Sequence, residues 1–205
     1  MQTVLTNRFG LTQARAFGST IPGKLTLGIA ATVVIALAAH VAFPLPFTPV
    51  PLTLGPLAVL AVGLAFGPAG GFLTLLAYLA EGASGLPVFS PAGPGGVAQL
   101  FFGPSSGYLL SYPLVAAIAG GLTPLLGRRL SLFASAAVGC ATATVLLFLA
   151  GAAWFMAFTH LPLRTVWIAA VAPFLPGETI KVLAAAGVYS TLRRHSRNKR
   201  SASSI

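Results

Sequence analysis

Acidic residues are almost missing: the 205-residue chain holds two, Glu81 and Glu178. Charged residues of both signs make up 7% of it, against about 25% in an ordinary soluble domain, which excludes a soluble fold with a solvated charged surface. Cysteine is limited to Cys140, so an intramolecular disulfide and a cysteine metal site are excluded; the residue lies in an apolar run and reads as packing. The histidines His40, His160 and His195 stand far apart without ligand spacing, and no metal site is expected. No G-x-x-x-x-G-K-[ST] run occurs, so the chain lacks the phosphate loop with which to hydrolyse ATP.

What fills the chain instead is apolar. It is 56% hydrophobic, with a mean hydropathy of +0.90. Several stretches are long and apolar enough to span a bilayer, and one membrane domain over residues 25–192 leaves no room for a second, soluble one. The net charge of +10 follows from the shortage of acids. Arg8, Arg15 and Lys24 precede the first apolar segment, and Arg193, Arg194, Arg197, Lys199 and Arg200 follow the last. Tails at 1–24 and 193–205 are therefore expected on the cytoplasmic side of a cell membrane. The RRHSRNKR run suits anionic lipid, and nothing aromatic or foldable accompanies it to suggest a nucleic-acid partner. Basic residues before an apolar stretch resemble a signal peptide, but without a convincing cleavage site, and with more apolar segments to follow, the first run reads as a retained helix.

Read in order, Leu25 to Ala42 is the first membrane helix. Gly28, Thr32 and Ala36 recur on it every four residues, a small-residue stripe that serves either a partner's close approach or packing inside the bundle. Phe43 to Pro56 holds five prolines, which exclude a regular helix, yet it is too apolar for a solvent loop. It reads as extended chain packed over the membrane domain, lining a cavity. Leu57 to Phe66 is short for a span, Gly67 and Pro68 turn the chain, and Gly70 to Ala80 is another short helix. From Glu81 to Tyr112 the chain is crowded with Gly, Pro and Ser and carries Phe89, Phe101, Phe102, Tyr108 and Tyr112, the mark of a loop that folds back and carries function. Helices follow over Gly107 to Leu126, Leu130 to Phe158 and Thr179 to Leu192, with a basic loop at Arg128–Arg129 and a short amphipathic piece from Arg164 to Val171. The sum is an all-α membrane protein of about six helices whose unusual loops meet on one outer face.

The stretch PFLPGETIK, Pro173 to Lys181, holds one of the two acids. Lys181 stands three positions after Glu178, so the two share a helix face. Proline at the entry, Glu in the first turn and Lys pairing with it also describe an ordinary helix start. In a chain this poor in acids, an ionisable pair at membrane depth is a functional-site candidate that points to a polar ligand. GPSSG, Gly103 to Gly107, fits G-x-S-x-G, but a nucleophile elbow needs a preceding strand with a base and an acid, and here an apolar loop leads into a membrane helix; no catalytic residue is assigned.

Four blocks in this order, FPLPFTPVPLTLG, FGPAGGFLTLLAYLAEGASGLPVFS, FFGPSSGYLLSYPLVAAIAG and PFLPGETIKVLAAA, resemble the BioY family of biotin transporters, the substrate-binding S components of energy-coupling factor (ECF) transporters. The resemblance covers about Leu25 to Leu192. It implies a six-helix S-component bundle that binds biotin at its outer side, a transmembrane coupling protein with a pair of cytoplasmic ATPases as partners, no cofactor of its own and no enzymatic role. The missing phosphate loop agrees with that division of labour. The family commonly has Thr-Gly-Gly-Tyr where this chain has Ser105-Ser106-Gly107-Tyr108, and Asp where it has Glu178, which reaches one methylene further. Some members have Arg where Leu109 stands. For biotin, Glu178 suits ureido N–H groups, Lys181 a carboxylate or carbonyl oxygen, and Phe89, Phe102 and Tyr108 a cover for the rings. The stripe Gly28, Thr32 and Ala36 is the expected partner interface. A transporter or channel for another small solute, on the same bundle with a different pocket, is the alternative.

Overall fold

The computed structural model describes residues 20–202. Helix α1 spans Ile21–His40. It begins before the apolar run because Thr20 caps it, accepting the Gly23 N–H at 3.2 Å, with proline at the first turn. Residues 21–24, read from the sequence as tail, are thus helical, and most of the expected N-terminal tail lies outside the described residues.

The proline-rich run is a hairpin rather than plain extended chain. Strand β1 (Ala42–Leu45) pairs antiparallel with β2 (Thr48–Thr53), with Ala42 opposite Thr53 and Leu45 opposite Thr48. The register slips between Phe43 and Leu45, around Pro44. Proline cannot donate to a ladder, and a two-stranded ribbon, both of whose strands are edges, tolerates that loss.

Helix α2 (Gly55–Ala83) is broken at Gly67, where φ is 75° and ψ −175°, a conformation open to glycine alone. A Cβ on Gly71 would stand 3.1 Å from the Gly63 Cα, whereas residues eight apart in a continuous helix lie about 12 Å apart. The chain therefore doubles back at Gly67–Pro68 into two arms, 55–66 and 68–83, as the sequence suggests. Both arms pack on α4 (Ser106–Leu126), which follows the short α3 (Gly96–Phe101). The crossing is close: a Cβ on Gly63 would sit 2.4 Å from the Ala116 carbonyl oxygen, and one on Gly120 2.4 Å from that of Gly63.

Helix α5 (Leu132–Thr159) starts at the Ser131 cap and ends on His160 in a left-handed conformation, φ 55°. The amphipathic α6 (Leu163–Ala170) buries Val166 and Ala170 and exposes Trp167 and Ile168. A 3-10 turn, Ala172–Phe174, leads into α7 (Leu175–Ala202), which is helical well past the expected end at Leu192.

Among the described residues five helical stretches are long and apolar enough to cross a membrane, and α2 folds into two arms, which makes six crossings. Exposed apolar side chains such as Leu37, Leu149 and Ile180 face outward, as lipid requires. The core runs along the bundle axis through Ile35, Val59, Leu75, Val115 and Ala186, and Cys140 is buried in it, where packing was expected.

Candidate ligand cavity

Three irregular segments cover one end of the bundle: the β1–β2 hairpin, the 84–105 loop and the 160–174 connection. Beneath them lies a cavity of about 60 Å³, lined among others by Thr53, Gln99, Tyr108, Tyr112, Phe174 and Glu178. Each covering segment contributes to it, so residues as distant in sequence as Ala39 and Glu178 converge there.

The first turns of α7 place Glu178 and Lys181, both buried. Lys181 Nζ donates to Glu178 Oε1 at 2.5 Å and to the Thr53 carbonyl at 2.5 Å. The lysine therefore neutralises the carboxylate and ties α7 to the hairpin. Glu178 Oε2 is buried with no hydrogen-bond partner. An acceptor left open at a cavity wall is costly unless a ligand supplies the donor. Lys181 itself is engaged by Glu178 and Thr53 and stands behind the wall rather than on it, unlike the ligand-facing role expected from the sequence.

Tyr108, expected to cover the ligand's rings, lines the cavity. Its hydroxyl donates to the Ala170 carbonyl, joining α4 to α6, and its ring lies where a Cβ on Gly151 would be. Phe89 and Phe102 do not meet the expectation. Phe89 is buried away from the cavity, edge-on to Tyr78 with ring centroids 5.5 Å apart, and fills the space that a side chain at Gly82 would take. Phe102 is 71% exposed and covers nothing. In an irregular loop no period assigns a face to each aromatic, which is why both escape a sequence reading.

Gln99 and Tyr112 were not singled out for the site by the sequence, and both line it. Gln99 Oε1 accepts the Gly95 N–H at 3.1 Å and its Nε2 donates to the Ser90 carbonyl at 3.2 Å, clamping the 84–105 loop over the cavity. Ser105 of the GPSSG run lines the cavity, while Ser106 Oγ accepts the Gly103 N–H at 3.0 Å and faces the Gln99 carbonyl at 3.0 Å, holding the turn into α4.

The stripe on α1 divides. Thr32 is 2% exposed, and its hydroxyl lies 3.0 Å from Glu81 Oε1 and 2.9 Å from the Ile29 carbonyl, so it sits in the α1–α2 seam, at the wall of a lateral groove. Ala36 packs against the core. Gly28 is more open, on a lateral groove between α1 and the second arm of α2.

Residues 12–198 match the profile of the BioY family. A probable biotin transporter BioY of Pyrococcus horikoshii is 34% identical over 67% of this chain and 76% of its own. The biotin transporter BioY of Rhodobacter capsulatus is 32% identical over 82% of this chain and 92% of its own. Among solved structures, the S component for biotin from an ECF-type ABC transporter superposes with a TM-score of 0.75 at 27% identity, covering 83% of this chain and 90% of that one.

Proposed function

The chain belongs to the BioY family, and from that premise we propose that it binds biotin in the cavity beneath the three loops and carries it across the cell membrane as the substrate-specific subunit of an ECF-type transporter. The observation that carries the reading is the open acceptor at the cavity wall, Glu178 Oε2, held in place by Lys181. A ureido group offers N–H donors to such an oxygen, and the aromatic and aliphatic lining suits the half-apolar bicyclic head. Relatives named as biotin transporters and a neighbour described as an S component for biotin support the same assignment.

In this reading the cavity opens to the outside and both termini are cytoplasmic. Energy comes from a transmembrane coupling protein and two ATPase subunits, since the chain has no phosphate loop. The coupling contact expected at Gly28, Thr32 and Ala36 is drawn at the lateral groove that Gly28 and Thr32 both line, with Gly28 the more open of the two. Equilibrium binding of labelled biotin to the purified protein tests the assignment. Saturable binding that unlabelled biotin displaces is expected; no binding of biotin alongside tight binding of another solute overturns it.

A further inference from the structure

Among the polar side chains at the cavity, Glu178 Oε2, an acceptor, and two hydroxyls, those of Ser105 and Tyr112, stand without a hydrogen-bond partner among the described residues, and of the two hydroxyls Tyr112 is the buried one. We infer that Tyr112 is a specificity-determining residue whose hydroxyl donates to the ureido carbonyl of the ligand while Glu178 accepts from the neighbouring N–H. The inference rests on the biotin reading of this cavity and goes beyond it by naming the group that reads the carbonyl.

The placement of Tyr112 is rigid. The residue is 6% exposed on α4, its ring stacked near that of Tyr78 with centroids 6.5 Å apart and planes inclined by 25°. Its hydroxyl lies at the base of the hairpin, 3.1 Å from where a Cβ on Gly55 would be. A tyrosine this deep ordinarily finds an internal acceptor, as Tyr78 does on the Val88 carbonyl at 2.9 Å and Tyr108 on that of Ala170. Tyr112 has none among the described residues, although it borders the same cavity as the open carboxylate oxygen. A donor and an acceptor both left open at one wall are complementary to a group carrying C=O and N–H on adjacent atoms, which is what a cyclic urea presents. A carboxylate has no N–H and satisfies only one of the two.

The test compares the purified protein with Tyr112→Phe, which keeps the ring and its stacking and removes only the hydroxyl. The ligands are biotin and the analogue in which sulfur, a poor acceptor, replaces the ureido oxygen. Biotin is expected to bind Tyr112→Phe about tenfold more weakly than the unmodified protein, while the sulfur analogue binds both alike. The melting temperature of the ligand-free protein should not change. Equal biotin affinity in the two proteins overturns the inference, and so does an equal loss for both ligands, which would place the hydroxyl's role in the fold. Should the variant not fold, the unmodified protein still decides: indifference to the sulfur exchange overturns the inference. An unmodified protein that binds no biotin at all overturns the proposed function itself, and that result is read before either comparison is made.

Discussion

Lys181 does two things with one ammonium group: it compensates Glu178 and it holds the last residue of β2. Replacing it by alanine leaves a buried carboxylate without its counter-charge, a change that costs about 3–5 kcal/mol in buried pairs. Lys181→Ala is therefore expected to weaken biotin binding by several kcal/mol and to lower the melting temperature, measured by titration and by thermal unfolding in detergent; unchanged affinity in folded protein would contradict it. A second expectation concerns Gly151, where a Cβ would stand 2.2 Å from the Tyr108 ring. Gly151→Val must displace that ring from the cavity wall, with an overpacking cost of about 1–3 kcal/mol. Biotin affinity should fall while the helical circular dichroism stays the same, and full affinity would mean that Tyr108 does not shape the site. The pairing of Glu178 with Lys181 was legible in the sequence because ionisable residues are rare in this chain and these two stand three apart. Tyr112 and Gln99 were not, because what distinguishes them is the lack of a partner or a clamp across a loop, and neither leaves a spacing to read. Phe89 and Phe102 looked equivalent on paper, and one is buried while the other is 71% exposed.

Elements were more legible than residues wherever an apolar run met a strong terminator. Gly67–Pro68 was readable as a turn, and the fold-back there makes the crossings even in number. The proline-rich run was readable as non-helical but not as a hairpin, since its pairing depends on the bundle end that it covers. The end of α7 was misplaced because basic residues continue a helix as readily as leucines do, and the change from apolar to basic at Arg193 marks the membrane edge rather than the helix end. The seam between α1 and α2 favours packing over a partner contact at Thr32. Thr32 reads as one step in an outward stripe, but its hydroxyl meets Glu81, 49 positions away. Because Thr32 is buried, Thr32→Trp should lower purified yield, thermal stability and biotin affinity together. A Thr32→Trp protein that folds and binds biotin normally but loses its ATPase partners would restore the outward reading.

At the scale of the whole molecule, charge is distributed by end. Arg128 and Arg129 occupy the turn between α4 and α5, and Lys24 lies in the first turn of α1, where the chain enters the bundle. Helix α7 has 28 residues, or about 42 Å, against a hydrocarbon core of about 30 Å. It starts at the cavity and so extends beyond the core at the far end, where Arg193 and Arg194 begin the basic run; Arg193 lies over the Tyr189 ring, 5.4 Å from its centroid. Six crossings among the described residues would return the chain to the side on which it started, with both ends in one compartment and the cavity facing the other. Excess lysine and arginine in short flanking segments mark the cytoplasmic side, and the cavity end has Arg164 alone among its connecting segments. A cytoplasmic C-terminus and an outward cavity are therefore expected together. The check is a membrane-impermeant thiol reagent applied to intact cells, with cysteine introduced at Ser204 or at Phe47 of the hairpin tip, in a Cys140→Ala background. Position 47 should be labelled and position 204 protected until the cells are opened. The reverse pattern would invert the orientation, and labelling of both in intact cells would mean an odd number of crossings, which the fold-back at Gly67 does not allow.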